Sequence, residues 1–358
     1  MIRNTCSGRF RPVAMHMSSN PLIRMILSKR CVSFSRRRVS YSKTNPRRTE
    51  EVPVMKSLKW CIAGALAVVV SGCGASRVQG WEVDQKRVEG NLAQVLADAE
   101  AAWISREDPE KLKEAISLYE QAIAINPNQP EIMARIARAY YFLSDGYTRG
   151  DQDEQIRLYD LAAQWGERAM ATNFEFAKLV RDEGKNIEDA LSALDESYVP
   201  AVYWTASAIG KWARLKGFTT LLAQKNRVKK LMEWVTEKDP DYFYGGPPRY
   251  WGAYYSIAPS FAGGDVELAR QKYEESLKIA PDYLGTKVLM ADTYATKVQD
   301  RDLYVKLLTE VLEADPTVLP DIVPEQKVEQ DKAKDMLEEV DDRFASLSTP
   351  QVRIASNW

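Results

Sequence analysis

The sequence predicts an all-α fold, built from stacked helical hairpins that follow a short secretory signal. Three observations carry this. From Trp81 onward the apolar residues recur with helical spacing, and few segments alternate with period two. Prolines close the helical stretches at intervals in the second half that resemble a repeat length. Two segments far apart also share the same order of small, aromatic, small and proline residues.

Residues 1–54 hold twelve Lys/Arg and two Glu, are rich in Ser and show no apolar periodicity. They fit a doubtful basic extension: a start placed too far upstream, a disordered basic tail, or a transit-like leader. Met55-Lys56-Ser57-Leu58-Lys59 is a basic start, Cys61 to Val70 is free of charge, and Val70-Ser71-Gly72-Cys73 follows. A basic region, an apolar run and a small-residue cleavage site make a secretory signal over 55–72. The run is too short for a bilayer, which needs about 20 apolar residues. Cys73 directly after Ser-Gly resembles a lipobox, whose thiol is diacylated, and two acyl chains anchor stably where one does not. The alternatives are a plain secretory signal or a buried helix containing a cysteine. Gly74 rather than aspartate after the acylated residue favours the periplasmic face of the outer membrane. Residues 73–80 read as a lipidated tether, 81–345 as the helical domain and 346–358 as a flexible tail.

Removing residues 1–72 changes the chemistry available. The chain has 49 basic and 50 acidic residues, of which that stretch holds 14 and 2, so 35 basic and 48 acidic remain. A net charge of −13 argues against nucleic acid, which binds basic faces. The only histidine, His16, and Cys6, Cys31 and Cys61 lie in the removed part. The remainder has one cysteine and no histidine, which excludes Cys/His zinc sites and Ser-His-Asp or Cys-His catalysis. No EF-hand loop, P-loop or dinucleotide fingerprint is present. The expectation is a binding protein without cofactor, metal or bond chemistry.

Ala115-x3-Tyr119-x2-Ala122-x4-Pro127 matches Ala269-x3-Tyr273-x2-Ser276-x4-Pro281, and Ala137-x2-Tyr140 matches Ala291-x2-Tyr294 at the same offsets beyond the prolines. Glu237-Lys238-Asp239-Pro240 and Glu313-Ala314-Asp315-Pro316 are two further similar helix ends. Spacings of 41 and 35 between these prolines lie near the 34-residue tetratricopeptide (TPR) period, while 113 residues separate Pro127 from Pro240. The pattern resembles TPR-like hairpins with a degenerate or enlarged middle.

Two aromatic clusters are candidate ligand sites. In Tyr198–Phe218, Trp204, Lys211 and Trp212 fall near one helical face that Tyr203 borders, and Lys216 adds a further charge; a packed core helix gives the same pattern. Tyr242, Tyr244, Arg249 and Trp251 sit in a stretch whose glycines and prolines predict a loop, or a buried corner between repeats. Phe261-Ala262-Gly263-Gly264-Asp265 reads as a helix stop with Asp265 capping the next helix.

The runs Tyr203-Trp204, Lys211 through Phe218, Tyr242 through Pro247 and Phe261 through Asp265, with Lys287 and Asp300-Arg301, together resemble the TRAP transporter T-component (TatT) family over residues 81–340. That resemblance implies a homotrimeric periplasmic lipoprotein. It would associate with the TRAP-type periplasmic substrate-binding P-component and carry a pore-like cavity for a hydrophobic or organic-acid ligand. It assigns no ligand-binding residue. Two other readings stay open: a general TPR-type scaffold lipoprotein for envelope or cell-wall assembly, and a carboxylate-based envelope hydrolase with a pair of buried carboxyl groups.

Overall fold

The computed structural model describes residues 77–83 and 86–344, and among these there is no strand. The expectations for residues 1–54, for the signal at 55–72, for Cys73 and for the tail at 346–358 lie outside the described residues.

Helix starts follow local chemistry. α1 (Leu92–Ile104) begins where the Asn91 side chain accepts from the Gln94 N–H. α2 (Pro109–Ile125) combines the Asp108 cap with Pro109, whose missing N–H is an orphan there anyway. α3 (Pro130–Phe142) also starts at a proline and continues through a π-turn, Leu143–Tyr147. Asp151 caps α4 (Gln152–Met170). After short turns comes α5 (Val199–Lys216), which ends at Gly217 with φ 104°. α6 (Phe218–Lys238) ends ahead of Pro240. The expected Asp265 cap is present and accepts from Glu267 and Leu268 at 3.0 Å. The chain then runs through α7 (Tyr242–Ile257), α8 (Val266–Ile279) and α9 (Leu284–Met290), which continues into a second π-turn at Ala291–Ala295. α10 (Arg301–Glu313), α11 (Val323–Glu338) and α12 (Val340–Phe344) complete it.

Neighbouring helices pair as hairpins: α1 with α2, α4 with both α3 and α5, α5 with α6, α7 with α8 and α10 with α11. The matched residues occupy the crossings. Ala115, Tyr119, Ala122, Ala269, Tyr273 and Ser276 are all 0% exposed, as are Ala137 and Ala291. Small residues let backbones approach while the tyrosines fill the adjacent holes. α4 crosses α5 closely: a Cβ on Gly166 would stand 2.0 Å from Thr205 Oγ1.

Two stretches differ from expectation. Residues 77–80, read from sequence as tether, pack on α4. The second aromatic cluster is not a loop. Phe243, Tyr244 and Gly245 form a left-handed turn (φ 48°, 58° and 69°), and Pro247 and Pro248 then open the right-handed helix that carries Arg249 and Trp251. Prolines stop a helix in its interior but suit its first turn, so their position decides their effect. A left-handed residue other than glycine costs about 1–2 kcal/mol. The turn persists because each of its carbonyls is held. Arg249 donates to the Tyr244 oxygen at 2.9 Å and the Phe243 oxygen at 3.2 Å, and Ser276 donates to the Gly245 oxygen at 2.9 Å.

Candidate functional site

α5 separates two adjoining cavities. One, of about 250 Å³, lies between α5, α6 and α7 and is walled largely by apolar groups, among them Ala206, Ala213, Val228 and Ala253. Gly210 opens its α5 wall: a Cβ there would meet only Val228 Cγ1, at 3.9 Å. Phe218 and Leu222, both on its lining, are 59% and 47% exposed. The other cavity, of about 520 Å³, is the more polar of the two and reaches from α5 to α11 and α12. Tyr141, Tyr203, Lys211, Arg214, Arg249 and Leu289 line both.

The polar cavity is organised by the two π-turns. Each inserts an extra residue into its helix and presents one aspartate inward, and such bulges are frequent at functional sites. Asp145, from the first, accepts from Lys211 Nζ at 2.7 Å and Tyr159 Oη at 2.9 Å, and pairs with Lys332. Asp292, from the second, pairs with Arg214 at 3.2 Å and Arg343 at 3.1 Å. Each carboxylate therefore sits between one cation from α5 and one from the C-terminal helices. Burial alone would raise the Asp145 pKa; the Lys211 and Lys332 ammonium groups outweigh it and hold the carboxyl far below its ordinary range. Burial likewise opposes ionisation of Asp292, and Arg214 and Arg343 reverse it, so that its pKa is also lowered. For Lys332, burial works against the charge, yet Asp145 and Glu329 prevail and raise its pKa.

Arg249 is different. It is 7% exposed, and among the described residues its hydrogen-bond acceptors are neutral oxygens: the Phe243 and Tyr244 carbonyls, Tyr203 Oη at 3.1 Å and Thr286 Oγ1 at 3.4 Å. The Tyr283 ring lies 4.4 Å from the guanidinium carbon. The four cations named above have carboxylate partners, whereas this one, at the junction of the cavities, rests on dipoles and a ring face.

The sequence-derived candidates divide. Tyr203, Trp204, Lys211 and Arg249 line these cavities. Trp212 is buried instead against Tyr159 and Ala213. Lys216 is exposed at the end of α5 and lines neither cavity. Tyr242 packs edge-on against Tyr203, with ring centroids 5.0 Å apart, and Tyr244 stacks on Tyr283 at 5.4 Å. Trp251 donates to Thr236 Oγ1 at 3.0 Å, away from both linings. Trp204 and Phe243, 4.8 Å apart, join the two clusters into one aromatic body, which the Arg138 guanidinium covers 4.9 Å from the Phe243 ring. Sequence reasoning missed Asp145, Asp292, Lys332 and Arg343, because an acid or base within a helical stretch reads as solvent-facing. The one available signal was Asp145-Gly146 inside a helical run, where glycine weakens the helix.

Among the described residues, no cluster of three or more His, Cys, Asp or Glu could hold a metal ion, and no helix is long and apolar enough to cross a membrane. A comparison with curated proteins returned no match. The family model for the TRAP transporter T-component matches residues 106–344, a span that includes every residue lining the two cavities. The chain belongs to the TRAP transporter T-component family, accessory components of envelope transport systems rather than enzymes.

Proposed function

We propose that the protein holds an organic monocarboxylate with an apolar tail across its two adjoining cavities and hands it to, or takes it from, a TRAP-type periplasmic substrate-binding protein. In this reading Cys73 carries the lipid anchor at the periplasmic face of the outer membrane, the body is a TPR-like array, and the working unit is a homotrimer. The observation that carries the ligand reading is Arg249. A buried guanidinium with no carboxylate partner among the described residues, set where a more polar chamber meets an apolar one, favours a ligand with one negative charge and a hydrocarbon part. Lys211 and Arg214 line both chambers and add positive potential along the same path. The buried small and aromatic residues recurring in α2–α3 and α8–α9 support the repeat reading.

Calorimetric titration with octanoate tests the ligand reading. Saturable binding by the wild-type protein, with a negative heat-capacity change from burial of the chain, is expected. Absence of octanoate binding, or equal affinity for octanol, removes the carboxylate assignment.

A further inference from the structure

The segment between Cys73 and the helices is fastened to the body. The Arg77 side chain is 2% exposed; its Nη1 donates to Glu167 Oε1 at 2.8 Å and its Nε to Asp160 Oδ1 at 2.5 Å. Glu167 is 0% exposed, and its other oxygen accepts from the Gly80 N–H at 2.8 Å. Both oxygens of a fully buried carboxylate on α4 are thus bonded by this one segment. Removing the segment would leave a buried charge without those partners, a costly state. Gly80 lies so close to α4 that a Cβ would stand 1.8 Å from the Gln164 carbonyl oxygen. Trp81 then meets the Phe176 ring edge-on at 6.4 Å.

We propose that residues 77–82 are a strap that seats this edge of the body on the bilayer surface, which makes the lipid anchor an orienting device. The inference rests on acylation of Cys73. Four Cα steps separate Cys73 from Arg77, so the chain reaches at most about 14 Å before it is held. Were the strap loose, the first fixed point would be α1 at Leu92, nineteen steps away, and a flexible chain of that length spans about 24 Å on average and far more when extended. Three large apolar side chains on or beside the strap meet solvent, next to the exposed Glu82, Glu175 and Lys178. Val78 on the strap and Val83 just after it are 56% and 41% exposed, and Phe174, two residues before Phe176, is 77% exposed. Apolar side chains around the point where an acylated chain emerges suit the headgroup boundary of a bilayer.

The test uses the full acylated chain purified from membranes. Cys73 is the only cysteine after residue 72, so a bimane on Phe174→Cys labels one site once the anchor thiol is acylated. The protein is placed in vesicles of phosphatidylethanolamine and phosphatidylglycerol containing a small fraction of headgroup-spin-labelled lipid. Strong quenching is expected. It should fall several-fold when Arg77→Ala and Gly80→Leu release the strap, with helical circular dichroism unchanged. Should that variant fail to fold, a Gly/Ser spacer of about twenty residues inserted between Gly74 and Arg77 leaves the strap seated; it adds about 25 Å of reach and should cause the same loss. An acylated wild type that is unquenched, or quenching that survives the spacer, overturns the strap. Mass spectrometry of the N-terminal peptide separates the two claims, because an unmodified Cys73 defeats the anchor reading itself.

Discussion

Gly210 gives the sharpest test of whether the apolar cavity is maintained for use. Glycine in the middle of an 18-residue helix is a liability: it costs about 1 kcal/mol relative to alanine. Nothing in the packing requires it. Its φ is not positive, and a Cβ would meet a single methyl at an ordinary 3.9 Å. Gly210→Ala should therefore stabilise the body by about 0.5–1 kcal/mol. For a body of this size that is a rise of about 1–4 °C in Tm, read by thermal circular dichroism at 222 nm. Gly210→Phe directs a ring into the space of about 250 Å³ between α5 and α7. The protein should stay folded, because the ring enters an existing void, yet octanoate binding should be lost; Gly210→Leu serves if the ring proves too large. Two results would refute the reasoning. A Gly210→Ala protein less stable than wild type would mean that the glycine has a packing role. A folded Gly210→Phe protein that binds octanoate with unchanged affinity would mean that the ligand does not use this cavity.

Asp145→Asn leaves Lys211 and Lys332 without their shared partner and should cost about 2–4 kcal/mol in urea unfolding, discounted because Lys211 is a third exposed. The Asp145 pKa is lowered in the folded state, so its contribution is present above the unfolded value near 4 and is lost as pH falls below it. The urea midpoint of wild type should drop more steeply than that of Asp145→Asn from about pH 4 to pH 2. Gly166→Ala forces a methyl to within 2.0 Å of Thr205 Oγ1 and should destabilise by about 1–3 kcal/mol, visible as a lowered Tm. Gln299, exposed with φ 59° at the end of α9's continuation, should gain about 0.5–1 kcal/mol on replacement by glycine, measured by the same melt.

The hairpins were legible because their signals are local and redundant. Pro127, Pro240, Pro281 and Pro316 each follow a helix end, and the Ala115–Tyr119–Ala122 spacing repeats where two helices must approach closely. The site was legible in part. Tyr203, Trp204, Lys211 and Arg249 announced themselves through aromatic and cationic clustering, but Trp212 shares the same helix and faces the core. The side a residue faces is set by three neighbouring helices, which one helical face in the sequence does not specify. Asp145, Asp292, Lys332 and Arg343 come together across 198 residues of chain through two π-turns, for which Gly146 is the one local signal. The Phe243–Gly245 turn misled for a similar reason. Its left-handed backbone is held by Arg249 and by Ser276 of another helix, so the prolines that read as breakers serve as a helix start.

The central claim is that this T-component handles an organic carboxylate in concert with a binding protein. Native mass spectrometry of residues 74–358 mixed with the TRAP-type substrate-binding protein of the same organism, with and without octanoate, tests it most directly. The account predicts a trimer that captures the binding protein and retains one carboxylate per chain, with retention abolished by Gly210→Phe. A chain that captures neither the binding protein nor the carboxylate, or that binds envelope-assembly factors instead, would contradict it.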